Sequence, residues 1–315
     1  MHFFSDKTRN FKVLFGFCLI LLIFVLVILV LSVYIGYSLI NPDRTPVEET
    51  PPDALSYREV TFQSREDNLA LEGWLFTPNL QKDHDADKET TIIMAHGYGQ
   101  NRLQGSNALE LTEFLLEKGF SVFLFDFRNS GNSEEAITSV GQFEQDDLLG
   151  AVDFVKSEIE SSKIVLHGFS MGASTAILVG AEENAVDGVI ADSPFAHLPD
   201  YLSENLPQRS GLPVFPFNWT ILNTIPIIAD LDLQAVSPKK SVQTYQIPLL
   251  LIHGKADETI PAEDSYTIKH QGPNSLVELE VFPDAGHVNS FSSHPDAYRE
   301  VLFNFLTDLN NDECH

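Results

Sequence analysis

Three residues far apart in the chain have types suited to acyl transfer: Ser170, Asp257 and His287. A serine hydroxyl is a poor nucleophile near neutral pH and needs a general base, and the base needs a carboxylate to orient it. Ser170 sits in Gly168-Phe169-Ser170-Met171-Gly172, where the apolar run 164–166 leads straight into a helix-forming stretch. This spacing predicts a tight strand-to-helix turn that lifts the serine out of the sheet. Small residues are needed two positions to either side, because a Cβ there would strike neighbouring backbone. The five-residue pattern is short, so its weight depends on what surrounds it.

The surroundings are an alternation of short apolar runs and longer amphipathic stretches. Runs at 59–63 and 69–76, separated by the polar 64–68, predict an antiparallel hairpin. Further short runs rich in β-branched or aromatic residues, at 91–95, 122–125, 164–166, 188–191, 249–252 and 277–282, are expected to be strands covered on both faces. Between them, Leu148, Val152, Val155 and Ile159 recur at helical steps, as do Val301, Phe305 and Leu309, so these are core positions. The expected fold is α/β: a mostly parallel sheet with helices on both faces. Residues 193–236 interrupt the rhythm with six prolines and a cluster of aromatics, predicting an excursion with short helices of its own that caps the active site.

In such a sheet, reactive groups gather at the carboxyl ends of the strands. Asp257 closes His253-Gly254-Lys255-Ala256-Asp257 after one strand, and His287 closes Asp284-Ala285-Gly286-His287 after the next. The order Ser170, Asp257, His287 is that of the α/β-hydrolases. From about Tyr57 to the C-terminal helix the chain resembles that superfamily, in particular its membrane-anchored bacterial members and its dienelactone-hydrolase-like and serine-aminopeptidase-like branches. The resemblance implies that His96-Gly97-Tyr98-Gly99 is the oxyanion loop, with the backbone N-H groups of Tyr98 and Met171 facing the developing oxyanion. It likewise matches Asp126-Phe127-Arg128-Asn129-Ser130-Gly131-Asn132-Ser133 to a loop whose Asp126 and Arg128 brace their neighbours. Asp192, in Asp192-Ser193-Pro194, is a second candidate for the orienting acid, but Asp257 lies in the loop that matches the family's acid. His167 reads as a packed residue beside the nucleophile, and His294, preceding Pro295, as the start of a helix.

The N-terminal part gives the chain an address. Residues 13–40 form an uncharged apolar stretch long enough to span a bilayer, without the short core and small-residue cleavage site of a removable signal. Lys7, Arg9 and Lys12 precede it and acidic residues follow, so residues 1–12 are expected in the cytoplasm and the body outside. Residues 41–56, rich in proline, read as a stalk leading to a body at 57–315. A net charge of -26 argues against a nucleic-acid partner. The two cysteines, Cys18 in the span and Cys314 at the C-terminus, leave the body without an internal disulfide.

The expected function is a membrane-anchored serine hydrolase that cleaves small ester or related acyl substrates. It needs neither cofactor nor metal: no zinc motif or phosphate loop is present. Two alternatives stay open: a short-peptide aminopeptidase, with Glu204 or Asp230 receiving the substrate amine, and a membrane-tethered binding protein on an inactive hydrolase scaffold.

Overall fold

A computed structural model describes residues 3–78, 90–105, 107–159 and 163–311; Cys314 lies outside the described residues. Among the described residues eight strands form one sheet: β1 Tyr57–Gln63, β2 Ala70–Phe76, β3 Thr90–Ala95, β4 Ser121–Phe125, β5 Lys163–Phe169, β6 Gly188–Asp192, β7 Leu249–Gly254 and β8 Val277–Phe282. Their order is β1-β2-β4-β3-β5-β6-β7-β8. β1 and β2 pair antiparallel, β2 meets β4 antiparallel, and every pairing from β4 to β8 is parallel. Each of the apolar runs singled out above is therefore a strand.

The described residues hold ten α-helical segments: α1 Phe3–Ile40, α2 Asn107–Glu117, α3 Glu144–Glu158, α4 Met171–Glu182, α5 Leu198–Ser210, α6 Trp219–Ala229, α7 Pro238–Ser241, α8 Glu263–Gln271, α9 Ser290–Ser293 and α10 Pro295–Asn311. The chain divides into two compact units. The larger comprises residues 41–201 and 232–315, and the smaller residues 1–40 and 202–231.

In the larger unit the sheet separates two apolar clusters, as the continuous strand runs require. One gathers Phe62, Phe123, Phe125, Leu148, Val152, Val155 and Ile177; the other gathers Met94, Leu111, Leu115, Phe169, Tyr298, Leu302 and Leu306. β3, β4, β6 and β7 are buried at every position, so they have no solvent face to which a slipped register could turn polar residues. The central strand β5 carries the nucleophile candidate at its end, with Phe169 paired to Asp192 of β6.

Residues 41–56, read as a stalk from their prolines, hold no helix or strand, yet residues 42–46 are hydrogen-bonded to the body. Arg44 donates to Gly131 O at 2.7 Å and also to Ser133 O, Thr45 Oγ1 donates to Gly99 O at 2.7 Å, and Asn101 donates to Pro46 O at 2.8 Å. Val47 and Leu55 pack on the second apolar cluster.

The smaller unit holds α1, whose Phe11–Ile40 portion is long and apolar enough to cross a membrane. The helix begins earlier than the apolar run, at Phe3, so it carries the basic residues in the same rod. The excursion has the short helices its proline spacing suggested: α5, an irregular turn at Val214–Asn218 and α6, which Asp230 closes in the left-handed conformation at φ 55°.

Candidate active site

The elbow forms because three pieces of backbone crowd together there. A Cβ on Gly168 would run into the carbonyl of Gly172, and one on Gly172 into the carbonyls of Ala95 and His96. Ser170 itself sits at φ 54°, ψ -112°, a region L-residues avoid at a cost of about 1–3 kcal/mol. Its own backbone holds it there: Ser170 N-H donates to Asp192 O at 2.8 Å, and Ser170 O accepts the first helical bond from Ser174 N-H.

The structure brings Ser170, His287 and Asp257 together from three strand ends. His287 Nε2 is 2.9 Å from Ser170 Oγ, and His287 Nδ1 is 2.7 Å from Asp257 Oδ2. A carboxylate only accepts, so Nδ1 carries the proton and Nε2 presents its lone pair to the serine hydroxyl. Asp257 Oδ1 accepts from Thr259 N-H at 2.8 Å and Ile260 N-H at 2.9 Å. Burial alone would raise the Asp257 carboxyl, but hydrogen bonds from His253, His287 and Ile260 outweigh it and hold the group well below the usual carboxylate range. The line can therefore take the proton from Ser170 while the charge that forms on His287 is met by a fixed anion.

A second histidine at this acid escaped sequence reasoning. His253 is buried at the end of β7, its Nε2-H donates to Ile260 O at 2.8 Å, and Asp257 Oδ2 lies 3.4 Å away. Burial would lower its pKa, but Asp257 and the Ile260 carbonyl raise it above the ordinary value. His253 was visible only as part of a loop motif, with nothing to show that it turns inward.

The loop after β3 lies beside Ser170: a Cβ on Gly97 would be 3.5 Å from Ser170 Cβ. Tyr98 and Gly99 form the centre of a turn closed by Gln100 N-H to Gly97 O at 3.1 Å, and Gly99 takes the φ of 72° that such a turn requires. Met171 is the first residue of α4, where the amide has no acceptor in the helix's own ladder. The loop is pinned by Gln104, which carried no sequence signal, and by His96 of the loop itself. Gln104 Oε1 accepts from Gly97 N-H at 2.7 Å, and His96 is fixed at both ring nitrogens, accepting from Phe127 N-H at 3.0 Å and donating to Gly97 O at 2.8 Å.

The Asp126–Ser133 loop is held by two buried ion pairs and a third, half-exposed one. Asp126 meets Arg102 at 2.6 Å, and Arg128 meets Asp147 of α3 at 2.7 Å and Asp67 at 2.9 Å. Neither Arg102 nor Asp147 was identifiable as a partner from spacing.

The rival residues have other partners. Asp192 accepts from Ser193 Oγ at 2.9 Å and from Tyr298 OH at 3.1 Å, and Tyr298 in turn meets His167 Nε2 at 3.0 Å. Ser193 Oγ accepts from Val288 N-H at 3.2 Å, so this buried chain of side chains supports the loop next to His287. His294 stacks on Phe282, and its carbonyl takes an N-terminal bond of α10 from Tyr298 N-H.

Burial pushes the Asp192 carboxyl up to about 6, against the opposing pull of Ser193, His253 and Tyr298. Its pKa is raised on folding, so its stabilising contribution is complete below about pH 4 and is lost as pH rises through about 6. Replacing Asp192 with asparagine removes that loss. The variant is expected to gain about 3 kcal/mol on the wild type between pH 4 and pH 7, read from denaturation at both values. A gap that does not change with pH would show that the carboxyl is not held protonated.

A serine at the elbow of a central parallel strand, with histidine and aspartate from the last two strand ends, defines the α/β-hydrolase class, and the chain belongs to that superfamily. The model of the α/β hydrolase fold matches residues 90–220. The Pyrococcus furiosus esterase Pf2001 superposes with a TM-score of 0.68 at 30% identity, over 85% of this chain and 99% of that one. Bacillus subtilis YqkD is 31% identical over 230 residues, 71% of this chain and 73% of its own. Escherichia coli K12 YfhR is 31% identical over 263 residues, 81% and 82% of the respective chains. YqkD and YfhR are both described as uncharacterized proteins.

Proposed function

We propose that this protein is a membrane-anchored serine hydrolase that cleaves esters or related acyl compounds through an acyl-enzyme. The observation that carries the reading is the line from Ser170 Oγ to His287 Nε2 at 2.9 Å and from His287 Nδ1 to Asp257 at 2.7 Å. Ser170 Oγ attacks the acyl carbonyl as its proton passes to His287 Nε2. The Tyr98 and Met171 amides meet the oxyanion, each worth about 3 kcal/mol in the transition state. His287 returns the proton to the leaving oxygen, and water then repeats the sequence on the acyl-enzyme, restoring Ser170. The likeness to an esterase supports the substrate class.

In the same reading α1 is the anchor. Lys7, Arg9 and Lys12 before the span and acidic residues after it support a cytoplasmic N-terminus and an exported body. A membrane-impermeant fluorophosphonate probe, applied to intact cells that display the full chain, tests both parts. Labelling that disappears in Ser170→Ala, together with turnover of short nitrophenyl esters, is the expected result. Labelling only after lysis would reverse the orientation, and a folded protein that never labels would overturn the hydrolase. Aminoacyl-arylamides in the same panel separate esterase from peptidase chemistry.

A further inference from the structure

The smaller unit presents an apolar surface that its own packing does not cover. On one side, α6 lies against α1 at Gly36, which shares a face of α1 with the buried Ser32 and Ile40, four residues to either side. A Cβ on Gly36 would run into Ile225, and Ile221 is 3.3 Å away. Small residues on a helix face allow close approach of this kind within lipid, where no hydrophobic force drives helices together. On the other side, Phe215 is 82% exposed, Trp219 68% and Ile227 82%, with Val214 and Ile228 also bare. So many bare apolar side chains in one short segment are uncommon on proteins surrounded by water.

The polar groups of the segment point the same way. Residues 211–229 contain no charged side chain. Thr220 Oγ1 donates to Pro216 O at 2.9 Å, Asn223 Nδ2 to Trp219 O at 2.7 Å and Thr224 Oγ1 to Thr220 O at 2.7 Å. These donors are satisfied by the segment's own carbonyls, as a lipid environment demands. α1 carries exposed Tyr34 and Tyr37 near its end, and Trp219 adds a third amphipathic ring, the residue types that mark a membrane-water boundary. Phe11–Ile40 is about 45 Å long against a hydrocarbon core of about 30 Å, so the turns that carry these tyrosines reach that boundary. Residues 214–229 cover only about 24 Å and are bent by 113° from α5, which suits a helix lying in the plane of the membrane rather than a second crossing.

We propose that residues 214–229 form an interfacial wedge seated in the outer leaflet beside α1, with the acyl chains of the bilayer as its partner. The inference rests on α1 being a membrane anchor. It makes the excursion a second point of membrane attachment rather than a solvent-exposed insertion.

The test uses the full chain in phosphatidylcholine nanodiscs, prepared with ordinary lipid or with lipid brominated on its acyl chains. The chain has two tryptophans, and Trp74→Phe leaves Trp219 as the only one. Brominated lipid is expected to quench Trp219 emission at least twofold, with a blue-shifted maximum. The wild type compared with Trp219→Phe gives the same reading by difference, should the Trp74 variant fold poorly. Tyr34→Trp in a background without Trp74 and Trp219 reports α1 independently. Quenching at position 34 without quenching at 219 overturns the wedge and leaves the anchor standing. Loss of both overturns the wedge together with the anchor.

Discussion

Asp257→Asn is expected to lower kcat/KM on a short nitrophenyl ester by about 10⁴-fold with little change in KM. The amide cannot satisfy the donors that converge on this side chain. With its NH2 at the Oδ1 position it faces Thr259 and Ile260 N-H; with its NH2 at the Oδ2 position it faces the Nδ1-H of His287. The second arrangement forces the proton onto Nε2, which then opposes the Ser170 hydroxyl instead of accepting from it. His253, also beside Oδ2, loses the anion that raises its pKa. A loss under tenfold would remove Asp257 from the proposed role and return the question to Asp192.

Gly172→Ala is expected to destabilise the protein by about 3 kcal/mol and to abolish fluorophosphonate labelling. The added carbon would strike Ala95 O and C and His96 O, all of them backbone atoms that no rotamer change can move aside. Relief requires α4 to shift away from the end of β3, and that shift moves Met171 and Ser170 together. Gly286→Ala is the matched control for stability. Its added carbon would meet only Asn289 Nδ2 at 3.7 Å and Ala256 O at 4.0 Å, which is ordinary contact, so melting should scarcely change. Equal melting temperatures for the two variants would mean that the elbow is not sterically closed.

Strands β3 to β7 were legible because each is built on an apolar run between polar or glycine-rich loops, whereas β8, expected to be covered on both faces, alternates and leaves Glu278 and Glu280 exposed at the sheet edge. The positions of Ser170, Asp257 and His287 at strand ends follow from the same pattern, since parallel strands turn their carboxyl ends to one side. What the sequence concealed are contacts between distant residues with no period to reveal them: Gln104 on Gly97, Arg102 on Asp126, Asp147 on Arg128 and His253 beside Asp257. An aspartate that caps a loop and one that neutralises a buried arginine look alike in one dimension. The prolines of residues 41–56 forecast an extended backbone, but extension carries no information about which surface the chain follows.

That docked segment changes what counts as the minimal hydrolase. Thr45 bonds to the carbonyl of Gly99 and Asn101 bonds to that of Pro46, so the segment buttresses the loop assigned to the oxyanion; Arg44 ties it to Gly131 and Ser133. A soluble fragment starting at the first strand would strip these groups of their partners and loosen the loop beside Ser170. A fragment that starts at Asn41 keeps the leash.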